Sequence, residues 1–271
     1  MEEQIKFLIE RYGNDDQRTE GWFLKRSEML TASEIWKCFG DASASARKEL
    51  VISKLSPPKK QDGQSVNALI WGTRFEPIAK EIYCKTQNVT IKDLACVEHP
   101  EYSFVGASPD GLILCNDERN GRLIELKCPI SRVFDDTTAV PQHYYHQMQL
   151  QLECTGLQEC DYVEMQFKTV NYTEWLDSTA EFKSCFAVHN KTVSYKSIDD
   201  LRSIQEWMSE FSVMETSFVY WILKAKSEKL IKKDMDWWSS HLPQIKSTWE
   251  EILEHRKNGT SPTLTTGILE L

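Results

Sequence analysis

The chain has 271 residues, with 32 Lys+Arg against 41 Asp+Glu and a formal net charge of −9. A hydrophobic share of 41% with 11% aromatic residues excludes a disordered chain, and the length suits one large domain or two small ones. Such acidity excludes coating of nucleic acid by net charge, because phosphate binding rests on Lys and Arg. Any DNA contact must therefore come from a local basic site or from metal ions. The sequence contains no run of about 18 apolar residues that could span a membrane. Met1-Glu2-Glu3-Gln4 lacks the basic and apolar regions of a signal peptide, so the chain is expected to be intracellular, in cytoplasm or nucleus, and not secreted. The 8 cysteines are scattered without a C-x-x-C, which reads as reduced, mostly buried thiols rather than a zinc or iron–sulfur site.

Ile5, Leu8, Ile9 and Tyr12 recur at helical spacing and predict a first helix ended by Gly13. A second helix is expected from about 19 to 28. Thr31-Ala-Ser-Glu34 has capping-box spacing and opens a short helix through Ile35, Trp36 and Phe39. Residues 44–55 read as a helix and 56–63 as a loop. A helix over 72–87 buries Ile78, Ala79, Ile82 and Tyr83, and places Pro77 in its first turn, where no amide is owed. Short β-like runs follow at 89–91, 95–97, 103–107, 111–114 and 123–128. Residues 141–155 return to helix, with Gly156 as C-cap. Residues 161–169 alternate, with Val163, Met165 and Phe167 against Tyr162, Glu164, Gln166 and Lys168, as in a half-buried strand. Residues 182–197 read as strand. Two or three helices are expected over 201–257, with the lysines of 224–233 on a solvated helix face, and 258–271 as a loosely ordered tail. The expected architecture is α/β, a mixed central sheet flanked by helices on both faces. It forms a single domain over 1–257, with a helical part at 1–60, a core at 61–200 and C-terminal helices at 201–257.

The chemistry concentrates in Ala107-Ser108-Pro109-Asp110-Gly111 and Ile124-Glu125-Leu126-Lys127-Cys128-Pro129. Side chains two apart on a strand share a face, so Glu125 and Lys127 project together while Leu126 points into the core. If 111–115 and 123–128 form an antiparallel hairpin, Asp110 falls near the Lys127 end of the second strand. Two carboxylates and an ammonium then converge, a set suited to Mg²⁺ or Mn²⁺ and to phosphodiester hydrolysis. Taken alone, Asp110-Gly is a turn and Glu125/Lys127 a solvated strand face. Arg26 precedes a helix start that favours anions. On the predicted helix at 141–155, Tyr144, Gln147 and Gln151 share one face. His143 and His146 beside them read as structural.

Pro109-Asp110 followed by Glu125-Leu126-Lys127 resembles the PD-(D/E)xK nuclease superfamily, and more narrowly the YqaJ-type viral recombinase and lambda exonuclease family. The likeness covers about residues 20–170 in five blocks. They are Trp22–Glu34, Trp71–Tyr83, the A-S-P-D-G turn, the E-L-K-C-P strand, and Tyr144–Gln151. The resemblance implies a restriction-endonuclease-like fold and two Mg²⁺ (or Mn²⁺) ions. Asp110, Glu125 and the Leu126 carbonyl would bind metal, and Glu76 would help hold the second ion. Lys127 would orient the attacking water, with Gln147 nearby and Tyr144 as a weaker candidate. Arg26, Ser33 and Ser108 would bind a terminal 5′-phosphate.

The activity so implied is a metal-dependent exonuclease that degrades one strand from duplex ends, 5′ to 3′, for recombination or repair. Its partners would be double-stranded DNA ends, a single-strand annealing protein and further copies of the chain, a trimer by resemblance, with no membrane. A viral origin also fits the family. Two other readings remain open, a structure-specific endonuclease with the same metal core and a catalytically silent DNA-binding accessory protein. Arg132, just past the E-L-K-C-P block, is a candidate DNA contact.

Overall fold

The computed structural model describes residues 1–13, 19–56, 68–212 and 215–263. The helices are α1 (Glu2–Tyr12), α2 (Glu20–Ser27), α3 (Ala44–Leu55), α4 (Ala68–Gln87), α5 (Gln142–Thr155), α6 (Tyr172–Asp177), α7 (Ile204–Met208) and α8 (Trp237–Asn258). The strands are β1 (Leu30–Thr31), β2 (Thr90–Lys92), β3 (Val97–Glu98), β4 (Val105–Ala107), β5 (Gly111–Leu114), β6 (Leu123–Lys127), β7 (Glu159–Val170), β8 (Lys183–His189), β9 (Thr192–Tyr195) and β10 (Thr216–Lys232). Helix starts follow local chemistry. Thr19 and Ser43 accept N–H bonds three residues on, from Trp22 and Ala46, and Gly156 takes the left-handed conformation (φ 70°) that closes α5.

The main sheet has 7 strands in the order β2-β5-β6-β7-β10-β8-β9. All neighbours are antiparallel except β6 and β7, which α5 links as a parallel crossover. A smaller sheet, β1-β4-β3, carries the first anion-binding candidates at its edge. One face of the main sheet presents Leu112, Leu123, Cys160 and Tyr162 to a core shared with α1, α3, α5 and α8. The other presents Ile113, Ile124, Val163, Met165 and Phe167 to Phe75, Ile78, Ala79 and Ile82 of α4. The α/β architecture with helices on both faces is thus as expected. All 8 cysteines are free and most are buried. Among the described residues, no helix is long and apolar enough to cross a membrane.

The largest departure lies after residue 200. Instead of helices throughout, β10 occupies 17 residues and sits inside the sheet between β7 and β8. Its first half, Thr216–Leu223, is a run of aromatic and β-branched residues, a strand signal that the lysines following it obscure. Lys224 to Lys232 therefore belong to a sheet strand, not to a helix face. The division at residue 200 fails for the same reason. β7 is not half-buried at first, because α5 covers one face and α4 the other, so Cys160 to Met165 are buried without alternation. α4 begins earlier than expected, and Pro77 stands inside it rather than in its first turn. Residues 35–38 form a 3₁₀ turn instead of an α-helix. The expected tail falls mostly on 264–271, outside the described residues, as does most of the 56–63 loop.

Candidate active site

β5 and β6 pair with Gly111 opposite Ile124, which brings Asp110 beside Glu125. The Leu126 N–H donates to Asp110 Oδ2 at 2.7 Å, so the hairpin itself holds the first carboxylate against the second strand. Glu125 is fully buried on the α5 side of β6. Gln147 Nε2 donates to its Oε1 and Gln151 Nε2 to its Oε2, each at 2.6 Å. Lys127 Nζ pairs with Glu125 Oε1 and lies 4.6 Å from the centre of the Tyr144 ring. The single helical face carrying Tyr144, Gln147 and Gln151 thus meets the carboxylate and ammonium directly.

Burial, helped by the adjacent Glu125 charge, pushes the Asp110 carboxyl up to about 7. Burial alone would lower the Lys127 pKa, but Glu125 and Asp110 outweigh it and drive it well above its usual value. Lys127 is thereby held protonated beside the two carboxylates.

Leu126, Lys127 and Tyr144 border a cleft of about 440 Å³. Glu76, Gly72 and Thr73 of α4 line one wall, and Tyr144 and the segment Leu126–Arg132 line another. Glu76 faces this cleft, but no three Asp, Glu, His or Cys side chains among the described residues gather as a metal cluster. The site therefore offers two adjacent carboxylates, Asp110 and Glu125, with the Leu126 backbone beside them. Arg132, the candidate DNA contact, also lines the cleft and pairs with the buried Glu164 at 3.0 Å. His146 is buried in an aromatic cluster, where it accepts from Trp237 Nε1 at 2.9 Å, which suits the structural reading.

Arg26, Ser33 and Ser108 come together as a second group. The Arg26 guanidinium donates to Ser108 Oγ at 3.3 Å, Ser33 Oγ at 3.0 Å and Thr31 Oγ1 at 3.2 Å. It stacks 4.3 Å from the Trp22 ring, whose Nε1 also donates to Ser108 Oγ at 3.2 Å. Burial lowers the Arg26 pKa from its usual value, opposed by the charge of Glu34. A desolvated guanidinium fringed by hydroxyls is a fit for an anion. Trp22, Thr31 and Gln151 also belong to these two groups, through contacts that no local sequence pattern encodes.

The model of the YqaJ-like viral recombinase domain matches residues 21–158, about half of the chain. The chain belongs to this family. Every candidate site residue lies within the matched YqaJ-like segment, whereas β10 and α8 lie beyond it. A relative from Acanthamoeba polyphaga mimivirus, "Uncharacterized protein R354", is 23% identical over 308 positions, covering 93% of this chain and 55% of its own length. The YqaJ-like chain thus spans about half the length of that curated relative. The alkaline exonuclease LHK-Exo from Laribacter hongkongensis, solved also in complex with dAMP, is similar with a TM-score of 0.54 and 21% identity. The match covers 89% of this chain and 95% of that one. The fold is the restriction-endonuclease-like one of these exonucleases.

Proposed function

We propose that the chain is a metal-dependent DNA exonuclease that degrades one strand from duplex ends, with 5′ to 3′ polarity and a preference for a 5′-phosphate, in recombination or repair. The observation that carries this reading is the placing of Ser108 and Asp110 in one turn. Ser108 completes the Arg26 anion pocket and Asp110 begins the carboxylate site. Two residues of chain can span at most roughly 7 Å, of the order of the step between neighbouring phosphates of a strand. A terminal phosphate held by Arg26, Ser33 and Ser108 would leave the next phosphodiester near Asp110, Glu125 and Lys127.

The donor set fits a hard divalent cation. Asp110 and Glu125 crowd two carboxylates beside one ammonium, Lys127, and the Leu126 N–H holds Asp110 against β6. Asp110, Glu125 and the Leu126 carbonyl would hold Mg²⁺ or Mn²⁺, with Glu76 across the cleft supporting a second ion through water. Such ions, when bound, polarise the phosphoryl oxygen and lower the pKa of water.

Gln147 and Gln151 fix the Glu125 carboxylate. Lys127, steadied by Glu125 and Tyr144, orients the attacking water and offsets charge on the phosphoryl group. The likeness to LHK-Exo in fold and membership of a recombinase family support the reading. By the sequence resemblance alone, its partners would be further copies of the chain and a single-strand annealing protein.

The test uses linear duplex with and without a 5′-phosphate, and covalently closed duplex, each with Mg²⁺ or EDTA. Wild type should release mononucleotides from linear ends only with the metal, fastest from phosphorylated ends, and leave closed circles intact. Lys127→Ala should lower turnover at least about 100-fold. Cutting of closed circles would convert the reading to an endonuclease. Full activity of Lys127→Ala would refute the mechanism.

A further inference from the structure

The helix that carries Arg26 is held in an unusual way. None of its residues from Glu20 to Ser27 is fully buried, and only Trp22, Lys25, Arg26 and Ser27 are half-buried. Polar ties hold its C-terminal end: Lys25 Nζ pairs with Glu98 at 2.9 Å and donates to the Cys96 carbonyl at 3.2 Å, and further ties come from α3 and α8. Lys54 Nζ, in the last turn of α3, donates to the Arg26 carbonyl at 3.0 Å. The same ammonium pairs with Glu34 Oε1 at 2.5 Å, and its side chain is only 6% exposed. That Glu34 oxygen also accepts the Thr31 N–H at 2.9 Å, closing the turn that presents Ser33. Lys54 thus bridges the two walls of the anion pocket, the α2 end bearing Arg26 and the turn bearing Ser33.

Lys54 is secured in turn from α8. Arg256, in the last turn of α8, donates from Nη2 to the Lys54 carbonyl at 2.9 Å and to the Ser27 carbonyl at 3.2 Å. Its Nη1 donates to Glu28 Oε2 at 2.9 Å. One guanidinium therefore caps the carbonyl ends of α2 and α3 together, where unsatisfied carbonyls and the negative helix ends favour a cation. Its own place is set by Trp249, 5.4 Å away, which stacks on Phe104.

We propose that Arg256, acting through Lys54, is the positioning residue for recognition of the strand terminus, so that a helix outside the family-matched segment sets selectivity for phosphorylated ends. Arg256 does not touch the anion pocket. It keeps the α2 terminus from retreating, so that Arg26 holds its reach to Ser33 and Ser108. The proposal rests on the reading of that pocket as a phosphate site.

The test measures binding of a short duplex in EDTA by fluorescence anisotropy, with 5′-phosphate or 5′-hydroxyl ends, alongside KM and kcat in Mg²⁺. Arg256→Ala should reduce the phosphate-to-hydroxyl affinity ratio about 5- to 10-fold, roughly the loss of one capping interaction. KM for phosphorylated ends should rise to match. Affinity for hydroxyl ends and kcat at saturation should stay within about twofold. Arg256→Lys, which can cap only one carbonyl at a time, should recover part of the ratio, and it is the variant to read if Arg256→Ala does not melt cooperatively. An unchanged ratio in the folded variant, or equal losses on both ends, overturns the proposal. If wild type itself shows no ratio, the phosphate reading fails first. If Arg26→Ala abolishes the ratio while Arg256→Ala retains it, only the positioning role is lost.

Discussion

Glu125 is fully buried, and its two oxygens take bonds from Gln147, Gln151 and Lys127. A buried carboxylate deprived of one donor loses far more than an exposed one, because water cannot replace it. Gln151→Leu should therefore cost about 1–3 kcal/mol in chemical denaturation, and turnover should fall with it. A variant as stable as wild type would show that the Gln151 bond contributes nothing.

Asp110 adds a pH signature in the metal-free protein. Its folded pKa, near 7, lies above the ordinary value of 3.8, so the native state binds the extra proton between these limits. The stabilisation is complete below about pH 4 and is lost as pH rises through about 7. Melting in EDTA should thus fall between pH 5.5 and 8, by more in wild type than in Asp110→Asn; equal falls would contradict the raised pKa. At this scale the grouping of the candidate residues was largely legible. The E-x-K alternation placed Glu125 and Lys127 on one face, and the i, i+3, i+7 face of α5 brought in Tyr144, Gln147 and Gln151. Which amide meets which oxygen was not legible, because it depends on how α5 settles across β6. The three-way ties of Arg26 join residues up to 82 apart, and no local pattern encodes them.

At the scale of elements, α1, α2, α3, α5 and the β5–β6 hairpin followed from caps, glycines and periodicity, and α6 and β10 did not. Its second half mixes lysines with Ala225, Ser227, Leu230 and Ile231, a pattern that fits a helix face as well as a strand. Long-range pairing decided the matter, since β10 runs against β7 from Tyr220↔Val170 to Lys232↔Glu159. The strand is anchored by Trp221, 1% exposed, whose ring meets Phe167 edge-on at 5.5 Å under α4. Trp221→Ala should remove about 3–5 kcal/mol, as for other buried aromatics. A loss under about 1 kcal/mol, the scale of a surface position, would place residue 221 outside the core and undo the seven-stranded sheet. Glu76 shows the same limit differently. Its helix was legible, but α4 starts four residues before the predicted start, and only the folded cleft shows Glu76 lining the same space as Lys127 and Tyr144.

For the whole molecule, a net charge of −9 and a DNA substrate are compatible only if contact is local. Much of the positive charge is already committed to carboxylates, as in Arg122 with Asp161 and Glu159, Arg132 with Glu164, and Lys233 with Glu153. On the proposed function the acidic remainder would repel the duplex elsewhere, while Lys127 at the cleft and Arg26 in the anion pocket beside Ser108 supply focused positive groups. Two or three phosphates neutralised at an end release few counterions, and the logarithm of the binding constant should fall with the logarithm of salt with a slope of about −2 to −3. Anisotropy titrations in EDTA between about 50 and 200 mM salt measure this slope directly. Arg26→Ala should make it shallower by about 1, because that side chain answers for one phosphate. A slope steeper than about −6 would mean the duplex is gripped along its length. Recognition confined to the strand terminus could not then be the source of selectivity, whatever the chemistry at Asp110 and Glu125.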